Sequence, residues 1–207
     1  ELLKPLTSAY GASGRETPVA DVIEELVRSH VDSVRRDNMG NLICVKNGTD
    51  PNGKRIMLSA HMDPIGFIVA AVEKEGFLRV APVGGINPAV SQTRHVSFEN
   101  GVQGVLVRQP LKEGETVAMK HFYIDIGAKD AADARKYVQE GDPVHMNTYH
   151  QEMLNGFLSA RGIDDRGCAY IILEALKRAK AVFLFQAVSA NPQVHGKHQS
   201  GACLLYT

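Results

Sequence analysis

Two apolar stripes along the chain predict two amphipathic helices. Ser13 and Glu16 have the spacing of a capping box, and Pro18 falls in the first turn of the helix predicted over residues 14–29. The apolar face of this helix repeats every three or four residues: Val19, Val22, Ile23, Leu26 and Val27. The second helix is introduced by Gly162–Gly167, and its apolar face consists of Ala169, Ile172, Leu173 and Leu176.

Strand-like segments flank both helices. Asp32–Asp37 and Leu42–Val45 predict a hairpin, because the residues between them, 38–41, are turn formers. Arg55–Ala60 and Ala181–Ala187 are short and mostly apolar, which is typical of strands buried inside a sheet. Strands and helices thus occur together at both ends of the chain, and this indicates an α/β fold.

Between these ends the pattern changes to short β-like runs separated by Gly, Pro and Asn. The runs are Phe67–Val72, Phe77–Ala81, His95–Phe98, Val102–Arg108 and Phe122–Ile126. Helical spacing is weak in this region, apart from residues 129–138. The pattern predicts a small all-β domain or barrel over residues 66–150, inserted into the α/β domain.

Composition narrows the functions that these elements can serve. Hydrophobic residues make up 44% of the 207 and charged residues 22%, as in an ordinary globular protein. The formal net charge of zero argues against a nucleic-acid partner, since such proteins usually carry a basic excess. No apolar run approaches the roughly 20 residues that cross a membrane, so no membrane partner is expected. Three widely spaced cysteines, Cys44, Cys168 and Cys203, predict reduced thiols and a cytoplasmic location.

The first group of residues suited to chemistry is Ser59–Asp63, which follows a predicted buried strand. The carboxyl ends of strands are where α/β folds open onto their ligands. His61 can bind zinc through one ring nitrogen, while Asp63 accepts a hydrogen bond from the other and fixes the tautomer. The structural alternative stays open: His61 is then a satisfied half-buried histidine, and Asp63 caps a loop.

The second group is Asp164–Arg166, at the start of the second predicted helix. Asp164 can bridge two cations, with its neighbour Asp165 oriented by Arg166. The alternative is a pair of ordinary aspartates at a helix N-terminus, which the helix dipole favours. Together the two groups suggest a metal site assembled from two strand ends.

The remaining histidines and cysteines have simpler interpretations. His95, His121, His145 and His150 are expected at surface or turn positions. Cys168 has surroundings that can lower a thiol pKa, but a buried small residue in the first helical turn is the expected explanation. The spacing of His195 and His198 is similar to that of a pair of metal ligands, although we expect both residues to lie in a solvated tail.

Five segments stand in a colinear order that carries a family resemblance. They are Leu58–Phe67, Val80–Gly85, Phe122–Ala128, Glu140–Pro143 and Ser159–Cys168. The first is similar to an AHMDEIGF motif, and the second contains PVGG. With these residues the chain resembles the tetrahedral and glutamyl aminopeptidases, a family of dizinc metallopeptidases, over residues 1–188.

The resemblance implies a fold and an assembly. Residues 1–65 and 151–207 would form a zinc-exopeptidase-like α/β/α sandwich, which is incomplete here. Residues 66–150 would form an inserted PDZ-like all-β domain that serves oligomerisation. The protein would be a homo-oligomer with a dimer as its building block, and a dodecamer is left open.

The resemblance also implies a site and a reaction. His61 would bind one of two divalent metal ions, Asp164 would bridge both, and the peptide bond after Asp164 would be cis. Asp63 would serve catalysis from behind His61 by orienting it. Zinc is the expected metal, although cobalt and manganese accept the same mixed ligands. The substrates would be peptides, which lose their N-terminal residues.

Two departures from the family pattern leave other functions open. Pro64 stands where the family usually has Glu, which removes no metal ligand. A Glu-Glu pair, general base and ligand, should follow Ala181–Ala187, but Val188–His195 contains none and no Asp or Glu follows Glu174. One alternative is therefore a scaffold subunit without catalysis, from a truncated or frameshifted sequence. A glycoside hydrolase that uses Asp63 and Asp164 is the more distant alternative.

Overall fold

The chain divides into two compact units, residues 1–64 with 148–207 and residues 65–147. The computed structural model describes residues 2–50, 52 and 56–179, together with the backbone of residues 184–187. The insertion predicted over residues 66–150 starts one residue later and ends three residues later than the second unit. The catalytic and oligomerisation roles expected of the two units stay predictions.

Helices belong mainly to the first unit, whereas strands dominate the second. The described α-helices are α1 (Leu3–Ser8), α2 (Thr17–Val27), α3 (Ala131–Ala134) and α4 (Ile163–Arg178). The described strands are β1 (Ser33–Arg36), β2 (Leu42–Val45), β3 (Met57–Leu58), β4 (Gly66–Val72), β5 (Leu78–Val83), β6 (His95–Phe98), β7 (Gln103–Arg108), β8 (Phe122–Asp125), β9 (Pro143–Met146), β10 (Gln151–Glu152), β11 (Leu158–Ser159) and β12 (Leu184–Ala187). Both predicted helices are therefore confirmed as α2 and α4.

Helix α2 begins later than residue 14, where its sequence pattern placed the start. The Glu16 carboxylate accepts a hydrogen bond from the backbone N–H of Gly14 at 2.7 Å. The Ser13 hydroxyl is buried and finds no hydrogen-bond partner among the described residues. The predicted capping box therefore does not form, and the helix runs from Thr17 to Val27.

The sheet of the first unit has the strand order β1-β2-β12-β3. β1 and β2 form the predicted antiparallel hairpin, with Ser33 opposite Val45. β12 lies between β2 and β3, antiparallel to the first and parallel to the second, and Leu184 pairs with Met57. Of the strand predicted over residues 55–60, the described part of the chain shows only the short β3.

Helices α1, α2 and α4 pack around one hydrophobic core with this sheet. Its buried side chains are Leu6, Val19, Ala20, Ile23, Val27, Leu42, Cys44, Ala60, Met62, Ala169, Ile172, Leu173 and Leu176. Removing these side chains from water is the main source of the unit's stability. Because Ala60 and Met62 share this core with α4, the segment after β3 is held against that helix.

The second unit is a closed six-stranded barrel with the order β4-β5-β8-β7-β6-β9. Every pairing in it is antiparallel, and β4 meets β9 with Phe67 opposite Val144. Its own core consists of Phe67, Val69, Val72, Leu78, Val80, Val96, Phe98, Leu106, Phe122, Ile124, Ala134, Val138 and Val144. The all-β character predicted for the insertion is confirmed.

His121 ends a short 3-10 helix (Met119–His121) and is buried inside the barrel unit, so the prediction of a surface or turn position is wrong for it. The side chain is 2% exposed. Its Nδ1 accepts a hydrogen bond from the backbone N–H of Ala118, and its Nε2 lies 2.8 Å from Oε1 of Glu115. Both ring nitrogens thus have hydrogen-bond partners, which lowers the free-energy cost of burying the imidazole.

The other three histidines differ from one another. His145 is buried on β9 opposite Ser97, so the prediction of a surface or turn position is wrong for it. Its neighbours Val144 and Met146 pack in or against the barrel core, so alternation turns His145 to the opposite face of β9, where no local pattern signals its burial. His95 is exposed, as predicted. His150 is half-buried, with Nδ1 3.1 Å from the Thr7 hydroxyl oxygen.

None of the helices in the described part of the chain combines the length and the hydropathy needed to cross a membrane. Several predictions fall on residues 188–207, which lie outside the described residues. They concern the departure from the family pattern at Val188–His195, the pair His195 and His198, and Cys203.

Candidate metal centre

His61 and Asp164, two residues singled out from separate motifs, lie side by side in the first unit. His61 follows β3, and its side chain is 12% exposed. Asp164 stands at the start of α4, and its side chain is 98% exposed. Nε2 of His61 is 3.2 Å from Oδ1 of Asp164. The structure therefore places an imidazole nitrogen and a carboxylate oxygen, two possible metal ligands, next to each other.

The hydrogen bonding of His61 decides which of its nitrogens is free. Nδ1 donates its hydrogen to the backbone carbonyl of Asp63 at 2.9 Å. In a neutral imidazole the other nitrogen, Nε2, then carries a lone pair and no hydrogen. This lone pair faces a carboxylate oxygen of Asp164, and two acceptors so close attract each other only through a shared cation. A proton or a metal ion can be that cation.

Asp63 lies behind His61 and makes its closer contact through the backbone. Its carboxylate Oδ1 is 3.4 Å from Nδ1 of His61, is buried, and finds no hydrogen-bond donor among the described residues. Burial opposes the charged form of His61, but the Asp63 carboxylate and carbonyl, with Asp165, raise the pKa of His61 above its ordinary value. Asp63 thus holds the ring with its carbonyl and adds negative charge behind it.

The backbone at Asp164 departs from helical geometry. The peptide bond between Asp164 and Asp165 is cis, as the family resemblance predicted. Asp164 has φ −89° and ψ 101°, and Asp165 has φ −121° and ψ 22°, so the regular turns of α4 begin after them. The N-cap of α4 is Gly162. The two aspartates therefore do not occupy the ordinary N-cap position that the structural alternative gave them.

Arg166 does not orient Asp165, and this prediction is wrong. The Arg166 side chain is 0% exposed and donates to the backbone carbonyls of Met62, Leu6 and Ala9. Burial, followed by repulsion from Arg161, lowers the pKa of Arg166 to about 9. The guanidinium therefore remains charged at neutral pH.

A signal for the buried position of Arg166 was present in the sequence. Arg166 falls on the helical stripe of Ala169, Leu173 and Leu176, at spacings of three or four residues. A charged residue on an apolar stripe is ordinarily paired when it is buried. The sequence carried no signal for its partners, because a backbone carbonyl is present at every residue.

Cys168 is exposed, so the expectation of a buried small residue is wrong. It lies two residues after Arg166, on the side of α4 away from the buried stripe. A hydrogen bond with the Asp165 carboxylate, followed by partial burial, raises the pKa of the Cys168 thiol rather than lowering it. The thiol is therefore not an activated nucleophile.

The His61–Asp164 pair fits a divalent cation by its chemistry, since zinc, cobalt and manganese all accept imidazole nitrogen and carboxylate oxygen. Within the described residues no group of three or more His, Cys, Asp or Glu side chains is arranged to hold a metal ion. Catalytic zinc sites ordinarily use three protein ligands. The described part of the chain offers two, and the metal-binding roles of His61 and Asp164 stay predictions.

The architecture matches that of the TET aminopeptidases over part of their chain. The TET1 peptidase of Pyrococcus horikoshii can assemble into a tetrahedron or a large octahedral shell, and a related TET1 structure is a dodecamer. The Pyrococcus horikoshii structure matches with a TM-score of 0.80 at 29% identity, covering 93% of this chain and 61% of that one. A structure described as an endoglucanase from Thermotoga maritima matches with a TM-score of 0.78 at 33% identity, covering 91% and 58%.

Sequence comparison identifies the family. Residues 40–189 match the M42 glutamyl aminopeptidases, and the chain belongs to this family, whose members are metallo-aminopeptidases. The lysyl aminopeptidase of Pyrococcus furiosus is 28% identical over 195 residues, which cover 86% of this chain and 54% of that protein. The resemblance drawn from the five segments is confirmed. The chain spans about half the length of the curated relatives it matches.

Proposed function

We propose that the protein is a metal-dependent aminopeptidase that removes N-terminal residues from peptides. The observation that carries this proposal is the approach of Nε2 of His61 to Oδ1 of Asp164, 3.2 Å apart. In the proposal, His61 binds one of two divalent ions, with zinc preferred. Asp164 would hold both ions, because its carboxylate is exposed and offers two acceptor oxygens.

The residues around the pair prepare it for this role. When bound, the ions supply Lewis acidity, which polarises the scissile carbonyl and makes water more acidic. The Asp63 carbonyl keeps the hydrogen on Nδ1 of His61 and so leaves Nε2 able to bind. The Asp63 carboxylate adds negative charge behind the ring, which strengthens the imidazole as an electron-pair donor. Asp63 therefore acts on catalysis as a positioning residue.

The fold and the assembly belong to the same proposal. The α/β unit is part of a zinc-exopeptidase-like α/β/α sandwich, and the barrel is a PDZ-like domain that joins copies of the chain into a homo-oligomer. The TET1 structures support this assembly, since they resemble more than nine-tenths of the chain. A cytoplasmic location is proposed from the three widely spaced cysteines.

A scaffold subunit without catalysis is the second candidate, and one observation favours it. The chain contains no Asp or Glu after Glu174, where the family pattern has its Glu-Glu pair. In this candidate the barrel still assembles the subunits, whereas the His61–Asp164 pair binds metal weakly and no peptide is cleaved.

Glycoside hydrolysis is less well supported, although one similar structure is described as an endoglucanase. Such hydrolysis needs two carboxyl groups that flank a sugar. The side chain of Asp63 is only 10% exposed and lies behind His61, whereas that of Asp164 is open. The two carboxylates are therefore poorly placed to share one sugar ring.

Metal content and peptidase activity test the proposal together. Elemental mass spectrometry of the purified protein should find zinc, cobalt or manganese bound. Aminoacyl-anilides should be hydrolysed, a chelator should abolish this activity, and added metal should restore it. His61→Ala and Asp164→Asn should each lower metal affinity and activity at least tenfold, because the loss of even an outer-shell partner of a metal ligand costs ~10–100-fold.

Matched controls come from exposed residues of the barrel unit. His95→Ala and Glu75→Gln remove an imidazole and a carboxylate from exposed positions and should leave both readouts unchanged. Bound metal without anilide hydrolysis favours the scaffold candidate. Hydrolysis of a glucan that resists the chelator favours the glycosidase. A protein that binds no divalent ion under any condition overturns the proposal.

A further inference from the structure

Arg166 is a fully buried cation whose hydrogen bonds all end on the backbone. Nε donates to the Met62 carbonyl at 2.6 Å, and Nη1 donates to the carbonyls of Leu6 and Ala9 at 2.7 and 2.9 Å. Nη2 finds no hydrogen-bond partner among the described residues. Taking such a charge out of water is costly, and an apolar side chain of similar volume often serves stability as well or better. Stability alone therefore does not explain why an arginine stands here.

The Arg166 side chain connects the two backbone segments that carry His61 and Asp164. Arg166 itself lies two residues after Asp164, and the carbonyl that its Nε holds belongs to Met62, the residue next to His61. The backbone N–H of Arg166 also donates to the Gly162 carbonyl at 3.0 Å, and this hydrogen bond closes the turn that contains Asp164. In addition to the packing of the core, the guanidinium therefore joins one segment to the other by a hydrogen bond.

The cavity around the guanidinium fits it closely. A Cβ added to Gly11 would lie 2.6 Å from Nη2 of Arg166, closer than any real Cβ contact. A Cβ added to Gly162 would lie 3.3 Å from Cδ of Arg166, and Gly162 also has a φ of +61°. These two glycines leave the space that the arginine occupies, so the side chain has little freedom to shift.

The same side chain ties both segments to the core of the unit. Leu6, whose carbonyl accepts from Nη1, is itself fully buried in the hydrophobic core. Met62 is equally buried. Two of the three carbonyls that Arg166 holds thus belong to residues that packing already fixes, and a rigid fork between fixed points transmits position rather than absorbing movement.

We propose that Arg166 is a positioning residue for the candidate metal centre, and that its guanidinium sets the separation of His61 and Asp164. This inference rests on the proposed function, because it takes these two side chains as metal ligands. None of the described hydrogen bonds of the Arg166 side chain goes to either of them, and it acts through the Met62 carbonyl and the turn that carries Asp164. Its removal weakens metal binding while both ligands remain in place.

Cobalt(II) titration of the full chain tests the proposal, because the visible absorption of bound cobalt reports its coordination geometry as well as its affinity. Arg166→Met keeps a long side chain but makes none of the three hydrogen bonds. We expect its Kd for cobalt to rise about tenfold or more, with altered absorption bands. Arg166→Lys keeps the charge but lacks the planar fork, so we expect an intermediate rise in Kd.

Arg161 provides the matched control. It donates from Nη2 to the carbonyls of Ser8 and Ala9 at 2.8 and 3.3 Å, and so anchors the same N-terminal segment as Arg166. None of its described hydrogen bonds goes to Met62. Arg161→Met should lower the Tm of the protein and leave both the Kd for cobalt and the absorption spectrum unchanged.

Each outcome decides between the inference and its premise. If Arg166→Lys, measured well below its Tm, binds cobalt with the wild-type Kd and spectrum, the positioning role is overturned and the metal site stands. If Arg161→Met weakens cobalt binding as much as the Arg166 variants do, general destabilisation explains the effect and the inference fails. A wild-type protein that binds no cobalt overturns the proposed function, and the inference with it. Should Arg166→Met not fold, Arg166→Lys alone decides.

Discussion

Cys44 and Cys168 place the same thiol in opposite surroundings. Cys44 lies on β2, fully buried in the core, and burial followed by the negative charge of Glu24 raises its pKa to about 12. Cys168 is exposed on α4, where the carboxylate of Asp165 also raises the thiol pKa. The thiolate is the reactive form, so Cys44 is both inaccessible and protonated at every physiological pH.

We expect iodoacetamide to alkylate Cys168 in the folded protein and to spare Cys44, with peptide mass spectrometry locating the label. The rate at Cys168 should grow as pH rises, because its raised pKa moves thiolate formation into more alkaline solution. In denaturant both thiols should react, which serves as the control. Labelling of Cys44 in the folded protein at the rate of Cys168 contradicts its buried placement.

For single residues, the sequence predicts those that belong to a local motif. It fails where the role of a side chain depends on a contact with a residue far away in the sequence. His61 and Asp164 each belong to a short motif, so the sequence could single them out, and the structure brings them within 3.2 Å of each other. Arg166 was given the wrong partner, because its Nε hydrogen bond reaches the Met62 carbonyl 104 residues away. Carbonyls are the same at every position, so an acceptor of this kind leaves no trace in a sequence.

Closure of the barrel depends on a glycine at the start of β4. A Cβ added to Gly66 would lie 2.5 Å from the carbonyl oxygen of Val144 on β9. We therefore expect Gly66→Ala to force β4 and β9 apart and to lower the free energy of unfolding by about 1–3 kcal/mol, as overpacking does. Urea denaturation followed by circular dichroism measures this change.

Gly85 supplies the matched control for Gly66. Nothing lies within 4 Å of a Cβ added there, and the residue is exposed. Gly85→Ala should change the free energy of unfolding by less than about 0.5 kcal/mol. Equal effects of the two substitutions would show that strand closure is not what the Gly66→Ala change disturbs.

The type of each secondary-structure element was predictable from the sequence. The residues at which elements begin and end, and the strands that pair with one another, were less so. The β1–β2 hairpin has its turn signal in sequence, and Asp37 accepts from the backbone N–H groups of Met39 and Asn41 as such a turn requires. The start of α2 was placed too early, because the Glu16 carboxylate is engaged by Gly14 instead of closing a capping box with Ser13. The order of the barrel strands could not be predicted, since alternation fixes the face of a strand and not its neighbour.

At the scale of the whole molecule, the barrel unit has what independent folding requires. It possesses its own core, and its first and last strands, β4 and β9, pair with each other. We expect a fragment of residues 65–147 to unfold cooperatively on heating, as followed by far-UV circular dichroism. A fragment that melts without a cooperative transition contradicts this expectation.

The first unit offers the contrasting fragment. Residues 1–64 contain α1, α2 and the first three strands, but the core side chains Ile172, Leu173 and Leu176 come from α4. Without them Leu6, Ile23 and Leu42 lose their packing partners. The fragment of residues 1–64 should therefore show no cooperative transition, whereas adding the remainder of the chain should restore one.

The position of β12 in the sheet also sets an order of events during synthesis. β12 joins β2 to β3, yet the whole barrel lies between β3 and β12 in the sequence. Every barrel strand therefore leaves the ribosome before the strand that unites β2 with β3 has been made. We expect the nascent chain to contain a complete barrel and an incomplete sheet, in which Leu42 and Ile43 are still exposed to solvent. Binding of a chaperone should protect the chain from aggregation most at this stage.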